Sequence, residues 1–303
     1  MTRTNIKRKT ALSSSVFLFT LILSLAAFGQ EEADRFTYLV IPDKNSMQIL
    51  TLTDGSTILG RITEIRAKEV VFKTDVGDMT VPRTKISKLE LVPARLIKKA
   101  KYWFENPNTT RLYFGPTARM LKKGDGYFSD YYLFFPSIAY GITDNFTFGA
   151  GMSIFPGLNI NEQVFYFTPK IGLKASPNTN FAAGALIIAL PEDDNKSTLV
   201  GILYGVATFG SPDADLTVGL GYGFVEDQLA EKPMIMIGGE KRISRRVSFV
   251  SENWMFPGVD EPVVSYGFRF FGDGLSVDLA LVNALGKDIF FPGLPWVDFV
   301  VNF

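Results

Sequence analysis

The sequence predicts an all-β protein, a twelve-stranded antiparallel transmembrane β-barrel preceded by a small five-stranded module. Three observations carry this. The N-terminus has the makings of a secretory signal, no later stretch is long and apolar enough for a spanning helix, and long segments after residue 110 alternate apolar with polar residues. Successive side chains of a strand point to opposite faces, so alternation gives each segment one apolar and one mixed face. Strands cross a membrane only when every backbone donor and acceptor is paired, which requires closure into a barrel.

Arg3, Lys7, Arg8 and Lys9 precede an apolar run from Val16 to Ala27, followed by small residues up to Gly29. This order predicts a signal peptide over residues 1–29, cut before Gln30. A spanning helix needs roughly 20 apolar residues, and this run is shorter. Residues 30–46 read as a linker.

Residues 47–92, "MQILTLTDGSTILGRITEIRAKEVVFKTDVGDMTVPRTKISKLELV", read as five short strands with tight turns at Asp54-Gly55 and near Gly77-Asp78. Residues 93–109 form a second linker. In it Leu96, Ile97, Ala100, Tyr102 and Trp103 mix with Lys98, Lys99 and Lys101, which suggests a short amphipathic helix or turn stopped by Pro107. Such a segment suits a membrane interface or a solvated connection equally well.

The barrel is expected over residues 110–303, with strands at 110–121, 127–142, 145–156, 162–175, 180–190, 197–210, 215–226, 232–243, 246–257, 261–272, 274–285 and 291–303. Alternation is clearest in three of them. Phe146, Phe148, Ala150, Met152 and Ile154 share a face, as do Leu216, Val218, Leu220, Tyr222 and Phe224, and Val264, Tyr266, Phe268 and Phe270. The fifth and ninth strands are less regular and suggest bulges. Gly219, Gly221 and Gly223 fall on one strand face, where they suit close packing or extra room and not a dinucleotide phosphate. Tight connections such as "GITDNF" and "ASPNTNF" alternate with longer ones such as "FPGLNINEQ" and "VEDQLAEKP". An even strand count with short turns on one side places both barrel ends, and the small module, in the periplasm.

In the closing strand Val297, Phe299, Val301 and Phe303 form the apolar stripe, and they are the expected assembly signal. Arg119, Lys170, Lys174, Glu240, Arg242, Glu252, Arg269, Asp278 and Asp298 fall on the opposite faces, with Glu252 the least secure, and are the expected lumen-lining residues. A basic side chain on the lipid face near the midplane costs roughly 2–4 kcal/mol, so the lumen is where these charges belong. There they either set a solute's path or pair across the lumen and brace it shut.

Composition excludes several classes of function. The chain has no His and no Cys, so Ser-His and Cys-His nucleophiles, imidazole metal sites, disulfides and thiolate chemistry are all impossible. Lys and Arg number 31 against 31 Asp and Glu, so no global field favours nucleic acid. Asp278 and Asp298 could be taken for an acid–base pair, but with no cleft or nucleophile in view the chain reads as a non-enzyme without a cofactor.

Two resemblances add to this reading. The module, on its turn glycines and alternation, resembles small SH3-like or Sm-like barrels. Segments such as "NPNTTRLYFGPTAR", "YGITDNFTFGAG" and "FTPKIGLKA" resemble uncharacterised, porin-like outer-membrane barrels of Gram-negative bacteria over most of residues 106–303. The second resemblance implies an outer-membrane location, with lipid, the barrel-assembly machinery and small solutes as partners. The preferred expectation is a narrow channel for small solutes. The alternative is a closed structural or anchoring barrel whose periplasmic module binds a partner or the cell wall.

Overall fold

The computed structural model describes residues 39–43, 46–92, 96–98, 101–192, 196–272, 274–284 and 292–303, so the predicted signal peptide lies outside the described residues. The chain forms two compact units that divide between Tyr102 and Trp103.

The first unit contains the five expected strands: β1 (Met47–Leu52), β2 (Thr57–Ile65), β3 (Glu69–Lys73), β4 (Asp78–Pro82) and β5 (Ile86–Val92). They form one antiparallel sheet in the order β4-β3-β2-β1-β5, with a single 3-10 turn at Arg83–Lys85 before β5. The alternation seen in the sequence buries one side of this sheet, where Leu50, Ile62, Val70, Phe72, Val81 and Leu89 make the core. At the first turn the Ser56 N–H donates to Asp54 Oδ1 at 2.9 Å, while Gly55 takes a φ of +82° that L side chains avoid. Next to the β2–β3 turn, Arg66 donates to Glu64 and Glu69, and its hydrogen bond holds the Glu64 carboxyl below its ordinary range. The sequence suggests a helix or turn after the module. The described residues there form a short antiparallel pair and not a helix, β6 (Ile97–Lys98) with β7 (Lys101–Tyr102).

The second unit is the barrel. Its strands are β8 (Gly126–Tyr131), β9 (Phe135–Thr143), β10 (Phe146–Met152), β11 (Phe165–Phe167), β12 (Lys170–Ser176), β13 (Thr179–Pro191), β14 (Ser197–Ser211), β15 (Ala214–Val225), β16 (Gln228–Leu229), β17 (Met234–Arg242), β18 (Val247–Met255), β19 (Val263–Phe271), β20 (Leu275–Ala284) and β21 (Leu294–Asn302). β11 and β12 lie end to end between β10 and β13, so they count as one broken stave, and β16 only extends the end of β15. The result is a closed antiparallel barrel of twelve staves. β21 pairs with β8 from Asp298 opposite Tyr131 to Asn302 opposite Tyr127, and Gly126 and Phe303 exchange backbone hydrogen bonds at 3.0 and 2.9 Å.

The count of twelve agrees with the sequence, but two staves are not where the sequence puts them. Residues 110–121 are not a wall strand. They carry only an isolated bridge between Arg111 and Pro116. The segment expected as one strand at 127–142 is a hairpin, β8 and β9, turning through Tyr132 and Leu133 at φ +54° and +64°. Neither position is Gly, Asn or Asp, so no turn residue announces the reversal. The expected strand at 162–175 is interrupted at Thr168-Pro169, since proline cannot donate to a ladder. The fifth and ninth expected strands carry no bulge of their own. β18 is regular on both sides, and the slip beside β13 lies on its partner β12 between Lys174 and Ser176.

The outward face is an apolar belt. Ile138, Phe148, Leu203, Leu220, Phe268 and Leu279, on six of the twelve staves, are all exposed. Val297 and Val301 of β21, and Phe303 just after it, are exposed in the same way, with Phe303 at 59%, while Asp298 and Val300 between them are fully buried. A soluble protein rarely shows so continuous an apolar surface. The belt and the closed ladder together define a transmembrane β-barrel.

Candidate functional site

The lumen is not empty. Residues 103–121 run inside the barrel, and the inward charges of the wall grip them. Leu112, Tyr113 and Ala118 of this insert are buried against Val250, Ala280, Val206 and Met236 of the staves. Gly238 of β17 makes room for it, since a Cβ there would come within 2.4 Å of Leu112 Cδ1. Gly219 and Gly221 also face inward, where a Cβ would press on Val206 and Ile202, so they serve close packing.

Arg269 is the centre of the grip. Its side chain is fully buried and meets Asp278 in a two-pronged pair, Nε to Oδ1 and Nη2 to Oδ2, each 2.8 Å. This pairing is built into the ladder, because Arg269 and Asp278 are direct cross-strand neighbours on β19 and β20. Nη1 donates to Glu240 Oε2 at 2.7 Å and to the Asn108 carbonyl at 2.5 Å, and Nη2 reaches the Leu112 carbonyl at 2.6 Å. One guanidinium thus ties three staves to two points of the insert, and its planar fork makes this possible.

Three other wall residues hold the same segment. Glu252 Oε2 accepts from the N–H groups of Tyr113, Phe114 and Gly115 at 2.9, 3.0 and 2.9 Å, while Trp254 Nε1 donates to Oε1 at 2.7 Å. Lys170 Nζ donates to the carbonyls of Thr110, Thr117 and Arg119 at 3.0, 3.2 and 2.8 Å. Asp298 receives Arg111 Nη2 at 2.6 Å, and that guanidinium also lies 4.8 Å from the Tyr131 ring centre. Such charge-assisted bonds satisfy backbone groups of an irregular segment that water cannot reach.

Two of the expected lumen residues sit elsewhere. Arg119 belongs to the insert, not to the wall, and donates to Asp215 Oδ2 at 3.2 Å and to the Gly210 carbonyl at 3.0 Å. Lys174 is exposed where β12 slips before its turn, outside the gripping set. Arg242 is buried but near the tight-turn end, donating to the Phe104 carbonyl at 2.8 Å and to Asp213 at 2.9 Å. The sequence reading missed Arg111, Tyr113 and Asp215. The first two were assigned to a wall strand, and no local signal marks a segment as lumenal.

Beyond the insert, toward the longer connections, lies a cavity of about 360 Å³. Its floor includes Arg111 and Phe114 of the insert. Its walls include Tyr127, Tyr166, Tyr204, Met234, Trp254 and Trp296. Among the described residues no group of acidic side chains has the arrangement to hold a metal ion.

No protein-family model matches the chain, and no curated protein matches it. Weak likenesses to solved structures include three outer-membrane or transporter proteins. A loop L8 deletion mutant of OmpT from Vibrio cholerae is 11% identical with a TM-score of 0.33, covering 85% of this chain and 96% of that one. Salmonella typhi OmpF in complex with daunomycin is 11% identical with a TM-score of 0.32, covering 85% and 95%. The Ralstonia pickettii toluene transporter TbuX is 10% identical with a TM-score of 0.32, covering 85% and 86%.

Proposed function

We propose that the protein is an integral outer-membrane β-barrel that passes small solutes only when its insert shifts, and that it is closed in the state described. The observation that carries this is the Arg269 guanidinium, buried between Asp278, Glu240 and two carbonyls of the insert. Free diffusion through a lumen lined by the wall charges is thereby disfavoured, because those charges are already spent on residues 103–121. The predicted secretory signal and the apolar belt support the location. The five-stranded unit, SH3-like in its turns and alternation, is read as a periplasmic module. The same buried pairs favour a second reading, a permanently closed barrel that anchors the module.

Planar-bilayer recording of the refolded full-length protein separates the two. Wild type is expected to open rarely. Glu252→Leu removes the acceptor of three consecutive amide donors and leaves them unpaired, at about 1–3 kcal/mol each at most, so it should loosen the insert and raise open probability severalfold. A Glu252→Leu protein whose insert becomes protease-sensitive but which never conducts would leave only the anchoring reading.

A further inference from the structure

We infer that the cavity above the insert is a binding site for a small apolar molecule, with an aromatic or short aliphatic body. This rests on the membrane-barrel reading and names the class of molecule the barrel handles.

The cavity, about 360 Å³, is larger than a single side-chain vacancy and falls within the size range of small-molecule sites. An apolar cavity excludes water and accepts apolar guests. This one is walled by tyrosine, methionine and tryptophan, and small Ala139 points into it where a larger apolar side chain would fill the space. Close packing is the rule in protein interiors, so a void of this size kept open by an alanine is a built feature.

The charged groups of the lining are already matched. Lys170 is no anchor for a guest, since its three N–H groups are taken by three carbonyls, and Arg111 is paired with Asp298. Aromatic faces, methionine and aliphatic side chains make up much of the rest, so the lining selects an apolar guest.

The test uses full-length protein in lipid nanodiscs and quenching of tryptophan fluorescence, because Trp254 and Trp296 both line the cavity. The probe is bromobenzene. Saturable quenching above linear lipid partitioning is expected. Ala139→Phe should abolish the saturable part. Quenching that stays linear in wild type overturns the site while the barrel reading stands. Saturable quenching unchanged in Ala139→Phe, with that variant inserted and heat-modifiable, places the probe elsewhere and overturns it too. If Ala139→Phe does not fold, Ala185→Phe fills the same lining from another stave, and saturable quenching unchanged there overturns the site. A chain that never fractionates with membrane fails the barrel reading itself.

Discussion

Asp278 and Asp298 stand directly opposite each other on β20 and β21, both fully desolvated, and each is matched by a different arginine. Asp278 takes Arg269 from the neighbouring stave, and Asp298 takes Arg111 from the insert. Like charges facing each other across a ladder destabilise it. The wall alone is therefore incomplete, and the insert supplies the missing cation.

Arg111→Met should accordingly cost about 3–5 kcal/mol, the range for leaving one partner of a buried pair uncompensated. Asp298→Asn should cost less, since it also removes the opposing charge, and the double variant should recover part of the loss. The measurement is the midpoint of heat-modifiable unfolding on a gel. An Arg111→Met protein with wild-type midpoint would refute the assignment of Arg111 as the balancing cation.

Arg269→Glu distinguishes a solute-lining charge from a brace. In the narrow channel that the sequence reading prefers, this change would shift ion selectivity. The geometry reverses that preference, because the new carboxylate would face Asp278 and Glu240 with no cation of its own stave to offset them. A loss of stability at or beyond the upper end of about 3–5 kcal/mol is expected. An altered reversal potential with unaltered thermal stability would restore the open-channel view.

Phe303→Lys, or removal of Phe303, should impair assembly. Its ring packs where a Cβ on Gly126 would come within 2.5 Å of Phe303 Cε2, and its backbone closes the barrel against Gly126. A lysine there keeps the backbone pairing but breaks the outward stripe, so quantifying outer-membrane protein isolates the side chain's role. Normal levels of either variant would count against an assembly signal at this position.

Removing residues 30–102 should leave a barrel that inserts, since the first unit has its own core of Leu50, Ile62, Val70 and Phe72. Extending the deletion to residue 121 should abolish it, because Arg269, Glu252, Lys170 and Asp298 would lose their partners together. Proteolysis and heat-modifiability of the two truncations are compared. Equal behaviour would mean that the insert is not structural.

Much of this protein was legible in its sequence. The alternation of Phe146 to Met152, of Leu216 to Phe224 and of Val264 to Phe270 told which side chains face out, because that depends only on the two-residue period of a strand. The same period places Arg269, Asp278, Glu240 and Asp298 on the inner face and the stripe from Val297 to Phe303 on the outer one. Tertiary structure alone decided what fills the lumen. "TTRLYFGPTAR" alternates as plausibly as a wall strand, and whether such a segment joins the ladder depends on which edge is free once the rest has closed. β8 closes on β21, so no edge remains for residues 110–121, and the buried acids of the wall draw them inside. The hairpin at Tyr132-Leu133 was hidden for a related reason. Its left-handed backbone is imposed by packing at the rim and not by glycine. Local pattern therefore set the faces of the strands, while closure and the pairing of buried charge, which are properties of the whole barrel, set the occupant of its interior.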